Sequence, residues 1–181
     1  MKNPFKSFDD ILIRFINQKI RNRYFDIFFY YVTYLAGPTF LTLISVISMI
    51  FLHGKLRMIA FEGVVGLFVS GGIVQILKRV FSRNRPYWIL KELNTYGIDL
   101  SDYSFPSGHT TAGFSLGTIM AFHFPEYALF CLFFGCIIGV SRIYLAVHYP
   151  TDVVAGMFIG IGSSVLIHWK IFPVILSHLL W

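Results

Sequence analysis

Five apolar stretches recur along this chain, at roughly 27–52, 58–77, 109–124, 127–147 and 152–170. Each is close to the ~20 residues that a helix needs to cross the hydrocarbon of a bilayer. Backbone polar groups in lipid must be satisfied within the segment, so stretches of this length fold as helices. They predict an all-α architecture, a polytopic membrane helix bundle of about five transmembrane helices. A mean hydropathy of +0.67, with 56% hydrophobic residues, excludes an ordinary soluble domain, which would need more polar surface. The third stretch is the shortest and the most broken by Gly and Thr, and is expected to be enclosed by its neighbours. Glu62, inside the second, is expected to face protein or water, because an ionised group facing lipid is costly.

Residues 8–24 differ in kind. Phe8, Leu12, Phe15, Ile16, Ile20 and Tyr24 recur at helical spacing, with Asp9, Asp10, Arg14, Asn17, Gln18 and Arg21 opposite. So many charges predict an N-terminal amphipathic helix lying on the interface instead of crossing it. The whole chain, 1–181, then reads as one domain: the interfacial helix over 8–24 and the transmembrane bundle over 27–170. Residues 1–24 are too polar to supply the apolar core of a signal peptide. A net charge of +6 on such a chain points to the anionic headgroups of a lipid bilayer before nucleic acid. Cys131 and Cys136 sit in an apolar run and are expected as small buried packing residues. Gly113/Gly117, Gly135/Gly139 and Gly156/Gly160 give one Gly-x-x-x-Gly to each of the last three stretches. Three in succession fit tight packing inside one bundle, or a dimer face; the oligomeric state is left open.

The one long polar interruption covers residues 78–108 and joins the second and third stretches. It is too long for a simple turn, and long loops on rigid scaffolds are often functional. In a five-span chain this loop and the junction at 142–152 share a membrane side. Lys78, Arg85, Ser107, His109, Arg142, His148 and Asp152 can therefore converge.

These residue types suit a phosphate. Arg forks match phosphate oxygens and Lys adds a point charge. Ser107 and Gly108 stand at the expected start of the third helix, where free backbone N–H groups favour an anion. His148 precedes Asp152 by about one helical turn, so that carboxylate can hold one ring nitrogen and leave the other as a nucleophile. His109, from another span, can protonate a departing oxygen. A nucleophile, an acid and three cations add up to phosphoryl transfer. The set requires no metal and no cofactor: His109, His148 and Asp152 offer ligands, but three nearby cations oppose a divalent ion.

Lys78 to Arg85-Pro86 fits K-x6-R-P, 106–109 reads P-S-G-H, and 141–152 reads S-R-x5-H-x3-D. In this order and spacing the three motifs resemble the type 2 phosphatidic acid phosphatase (PAP2) superfamily. The resemblance implies an integral-membrane phosphatase that works without metal through a phosphohistidine. His148 would be the nucleophile, Asp152 its orienting partner and His109 the acid, with Lys78, Arg85, Ser107, Gly108 and Arg142 binding phosphate. The partner would be a membrane lipid phosphate, such as undecaprenyl diphosphate, phosphatidylglycerophosphate or phosphatidate. Small size and the lack of an appended domain look bacterial. Two features depart from the pattern. Many members have six spans, and the family's site usually faces outward, whereas Lys2, Lys6, Arg14, Lys19, Arg21 and Arg23 share the expected catalytic side and would turn it cytoplasmic.

Other readings of the same residues are a phosphotransferase, in which a second alcohol replaces water, and a lipid-phosphate binder or transporter. Arg79, Arg83 and Lys91 are expected to meet headgroups or solvent. Tyr87, Trp88 and Tyr103 read as interfacial anchors. His53, His123, His168 and His178 lie outside the motifs and receive no catalytic role.

Overall fold

A computed structural model describes residues 4–179 of the chain; Lys2 and the other terminal residues lie outside the described part. Helix α1 (Pro4–Arg14) runs into one wider π turn over Phe15–Lys19. Asn22 starts the next helix by accepting from the backbone N–H of Tyr24 and of Phe25, each at 3.0 Å. The amphipathic segment therefore stops short of Tyr24, which belongs to α2 (Arg23–Leu35). Its polar stripe is not all solvated. Asp9, Ile13 and Asn17, one turn apart, are completely buried against the protein, whereas Phe8, Ile11 and Phe15 are exposed. Asn17 shows why: its amide donates to the carbonyls of Asn94 at 2.9 Å and Tyr144 at 2.7 Å.

The first apolar stretch is a broken span. It divides at Ala36 and Gly37, and α3 (Pro38–Phe51) leaves at 50° to α2. Pro38 has no N–H with which to continue the ladder of α2. Next come α4 (Gly54–Phe81), the single turn α5 (Pro86–Ile89), α6 (Gly108–His123), α7 (Ala128–Tyr144) and α8 (Pro150–Leu166). A π turn over Ile167–Ile171 carries α8 into α9 (Phe172–Leu179). The segments Gly54–Ile89, Pro125–Tyr144 and Pro150–His178 are long and apolar enough to cross a membrane, and the bent α2–α3 pair qualifies taken together. Helix α6 does not. Its 16 residues rise about 24 Å, against a hydrocarbon thickness of about 30 Å.

That short helix is the centre of the bundle. It touches α3, α4, α7 and α8, and every residue from Thr110 to Ser115 is buried. The three Gly-x-x-x-Gly motifs are accounted for by this packing. A methyl group on Gly156 would stand 2.7 Å from the carbonyl oxygen of Ser107, and one on Gly160 2.5 Å from that of Thr111. Helix α8 thus rests its glycines directly on the backbone of α6. Large apolar side chains such as Phe68, Phe133 and Phe158 point outward, where lipid would meet them. The cysteines depart from expectation: both are free, Cys131 is half-buried and Cys136 is exposed on the outer side of α7.

Residues 82–107 fold back over the α7–α8 junction. Tyr144, Leu145 and Val147 are fully buried beneath Phe29, Tyr87, Ile98 and Leu100. The Tyr87 hydroxyl accepts from the backbone N–H of Leu100 at 2.8 Å, so this tyrosine clamps the loop.

Candidate active site

The folded-back loop and four helix ends bring the expected residues together at one end of the bundle. Lys78 lies in the last turn of α4 and Arg142 in the last turn of α7. Arg85 immediately precedes α5. Ser107 caps α6, its hydroxyl accepting from Thr110 N–H at 3.4 Å and Thr110 O–H at 2.9 Å. Gly108 and His109 open that helix, and Asp152 stands in the first turn of α8. Ser107 N–H donates to the Asp152 carbonyl at 3.1 Å, which ties the starts of α6 and α8 together.

Local backbone geometry aims His148. Helix α7 ends at Tyr144, and Ala146 takes the left-handed conformation at φ 56°. The chain then turns back so that the N–H groups of Val147 and His148 both reach the Arg142 carbonyl at 3.2 Å, a helix stop of the αL kind. His148 is left buried, with Nε2 3.5 Å from Arg85 Nη1 and Nδ1 3.6 Å from Asp152 Oδ2. The second distance is too long for a hydrogen bond. Asp152 is engaged elsewhere: Oδ2 accepts from Tyr149 N–H at 2.9 Å and Oδ1 from Arg83 at 2.6 Å. Burial first, then the charges of Arg85, Arg142 and Lys78, hold the His148 imidazole well below the usual histidine range. Its environment thus favours the uncharged imidazole.

The cations are held differently. Arg85 is buried and donates to the carbonyls of Val147 and Asp102, each at 2.7 Å. Arg142 reaches the Thr33 hydroxyl of α2, while its Nε and the Nδ1 of His148 are buried without a hydrogen-bond partner. Buried polar groups are rarely left so, and both belong to this cluster. Asp102 supplies an internal anion, paired with Lys78 and with Arg85 Nη2 at 2.6 Å. Burial pulls its carboxyl upward, but Lys78 and Arg85 outweigh that and bring its pKa to about 2. A carboxylate of the loop therefore occupies two of the three cations of the cluster.

His109 lines, with Arg142, a cleft of ≈ 420 Å³ whose walls include Tyr34, Phe40, Leu43, Ile98 and Leu100. The α2–α3 break makes this possible: Gly37 lies so close that a methyl group there would be 3.4 Å from His109 Nε2.

Two residues near the motifs were misread or missed in the sequence. Arg83, expected at headgroups or solvent, donates to Asp152 Oδ1 and to Asp9 Oδ2, both at 2.6 Å, and stacks on Tyr149 at 4.1 Å. Asp9 also accepts from the Thr151 hydroxyl at 2.6 Å and the Thr151 N–H at 3.0 Å. The only hint was Asp9 itself, an acid on the face of a helix rich in basic residues. Nor was Asp102 singled out. Among the described residues, the group of His, Cys, Asp and Glu close enough to share an ion is Glu62, His123 and His168, at the other end of the bundle.

An enclosed short helix among membrane-length helices, with a cationic cluster and two histidines gathered at one end, defines a polytopic helical protein. The profile of the PAP2 superfamily matches residues 60–175, and the chain belongs to that superfamily. It is 30% identical over 115 residues to the bacitracin transport permease protein BcrC of Bacillus licheniformis, covering 64% of this chain and 57% of that one. It is 35% identical over 107 residues to a lipid A 1-phosphatase of Rhizobium johnstonii, covering 54% and 41%. The chain thus spans about half the length of these curated relatives. The crystal structure of Aquifex aeolicus LpxE superposes with a TM-score of 0.78 at 27% identity, over 89% of this chain and 94% of that one.

Proposed function

We propose that this protein is a metal-independent phosphatase of membrane lipids, acting on a lipid phosphate or diphosphate of the undecaprenyl diphosphate, phosphatidylglycerophosphate or phosphatidate type. One observation carries the reading: a buried His148, in surroundings that favour its uncharged form, presents Nε2 beside Arg85, within a cluster that also holds Lys78, Arg142 and His109. The name of the Rhizobium relative, a lipid A 1-phosphatase, supports the same chemistry.

In this reading the lipid tail lies in the apolar part of the lateral cleft and the phosphate enters past His109 and Arg142. Lys78, Arg85, Arg142, the Ser107 hydroxyl and the N–H groups around Gly108 neutralise its oxygens, which is the largest contribution to catalysis. His148 Nε2 attacks phosphorus, and the bond from phosphorus to the leaving oxygen breaks as His109 gives that oxygen a proton. Water then attacks the phosphohistidine and returns a proton to His109, releasing inorganic phosphate and free His148. Asp152 Oδ2, 3.6 Å from Nδ1, closes on Nδ1–H as the phosphate binds and so favours the ring orientation that the attack needs. Asp102 must leave the cations for phosphate to reach them.

We propose the outer face of a bacterial cytoplasmic membrane for the site, the side that the family resemblance favours, although α1 and its basic residues share that face. A cysteine introduced at the exposed Ser101, with Cys131 and Cys136 replaced by Ala, would then label with an impermeant reagent in intact cells. Labelling only after lysis would reverse the assignment.

The function is tested by phosphate release from the three lipids by purified protein in detergent with EDTA, beside His148→Ala. Release that survives EDTA and disappears in the variant is expected. Equal release by both proteins, or none from any lipid, would overturn the reading.

A further inference from the structure

Glu62 is completely buried, on the membrane-length part of α4, with neither Lys nor Arg among its described partners. It lies about 24 Å along α4 from Lys78, so it belongs to the opposite end of the bundle. An ionised carboxylate at such a place needs a compensating charge. Its two oxygens are separately engaged: Oε2 by His123 Nε2 at 2.7 Å, Oε1 by His168 Nδ1 at 2.8 Å. His123 is the last residue of α6, and His168 comes from the π turn between α8 and α9. Three separate elements therefore converge through one carboxylate.

The geometry points to a metal site: we infer that Glu62, His123 and His168 bind a divalent transition-metal ion of the zinc class at the membrane end opposite the phosphate cluster. The donors are one carboxylate and two imidazoles, a set that suits zinc and its neighbours and not the all-oxygen preference of magnesium or calcium. Their three ligand atoms lie within 4.8 Å of one another. An ion about 2.0–2.2 Å from each would set neighbouring ligands roughly 3–3.5 Å apart, so the contacts of 2.7 and 2.8 Å would widen by about half an ångström and any pair near the 4.8 Å limit would close by about an ångström or more.

The π turn is the second observation. Such turns add a residue to a helix and recur at functional sites; here the turn carries the imidazole that meets Glu62. Phe122 stacks on the His168 ring at 4.5 Å and 19°, and Trp169 meets it edge-on at 5.0 Å, so the ring is held from two sides. Both histidine side chains are 20% exposed, leaving an entry path and room for water as a fourth ligand. On binding, each ring nitrogen facing Glu62 gives up its hydrogen, by tautomer exchange or by release of a proton. The ion would pin the ends of α4, α6 and the α8–α9 junction to one another, and no step of the phosphatase reading uses it.

Tag-free protein in detergent, stripped with chelator and desalted, would be titrated with cobalt(II) and then zinc. Wild-type protein should bind one cobalt per chain with visible d–d absorption, and zinc should bleach that signal and raise the thermal midpoint. His168→Ala and Glu62→Gln should each weaken cobalt binding by more than the roughly 10–100-fold that losing an outer-shell partner costs. Wild-type protein showing neither absorption nor a zinc-dependent shift would overturn the site, as would folded variants that bind as well as wild type. If the variants do not fold, the wild-type absorption, stoichiometry and midpoint decide the matter alone. Phosphate release plays no part in these readouts, so failure here leaves the phosphatase reading untouched.

Discussion

Asp9 in the first helix and Asp152 beside His148 share the two ends of a single guanidinium, that of Arg83, at 2.6 Å each. The surface helix is thereby linked to the carboxylate that faces His148. Each of these contacts is a charge-assisted hydrogen bond, worth about 1.5–3 kcal/mol. Arg83→Ala should lower kcat by roughly 10–100-fold with little change in KM, since every ~1.4 kcal/mol is a factor of ten. Arg83→Lys should recover only part, because one ammonium cannot present a planar fork to two carboxylates. An unchanged kcat in steady-state assays would show that Asp152 holds its place unaided.

His109→Ala should reduce kcat by about 10²–10⁴-fold, the usual worth of a positioned proton donor. The loss should shrink for a nitrophenyl phosphate, whose leaving oxygen needs no proton. Equal losses on lipid and nitrophenyl substrates would remove His109 from the role of acid.

Asp102→Asn takes away the internal anion of the cluster. Orthovanadate or inorganic phosphate should then inhibit more tightly, by up to about fivefold, since a half-exposed ion pair is worth at most ~1 kcal/mol. A weaker inhibitor would mean that Asp102 serves chiefly to hold Lys78 and Arg85 in place.

The pH profile follows from His148. Burial and then Arg85, Arg142 and Lys78 lower its pKa, so the acid limb of kcat/KM should lie below the ordinary value of ~6.5. Stability runs with the same sign. The unfolded chain takes up a proton at this histidine below about 6.5 while the fold resists, so the His148 contribution is present above that pH and is lost as pH falls through the folded value. An acid limb at or above ~6.5, unmoved in Arg85→Gln, would contradict this electrostatic account.

Gly160→Ala should destabilise the bundle by about 1–3 kcal/mol, because the added methyl meets the Thr111 carbonyl oxygen at 2.5 Å and neither backbone can yield cheaply. The same change at Gly162, where open space surrounds the new methyl, is the control. The comparison is read as thermal midpoints in one detergent.

Much of this was legible in the residues. Apolar length predicted the membrane helices, Gly and Thr in the third stretch predicted its enclosure, and the order of three short motifs predicted which side chains meet. The break at Gly37 was harder to see, because residues on both sides of it are apolar and helix-compatible and only the Gly-Pro pair marks the bend. Arg83 escaped because its partners, Asp9 and Asp152, lie 74 and 69 positions away; a charge in a loop looks the same whether it meets water or two acids. His123 and His168 escaped for a related reason, since their common partner Glu62 is on a different helix and nothing in their spacing announces it.

The enclosed helix α6 also bears on how the protein is made. A segment of 16 residues that carries Thr110, Thr111, Ser115 and Thr118 is a poor substrate for insertion by itself. It is stable in the bilayer only once α4, α7 and α8 surround it, and the turn Pro125–Tyr127 delivers α7 directly behind it. Synthesis therefore presents the centre of the bundle before two of its three principal walls exist. The segment must wait at the membrane surface or in the insertion machinery, so the order of assembly does not follow the order of the chain.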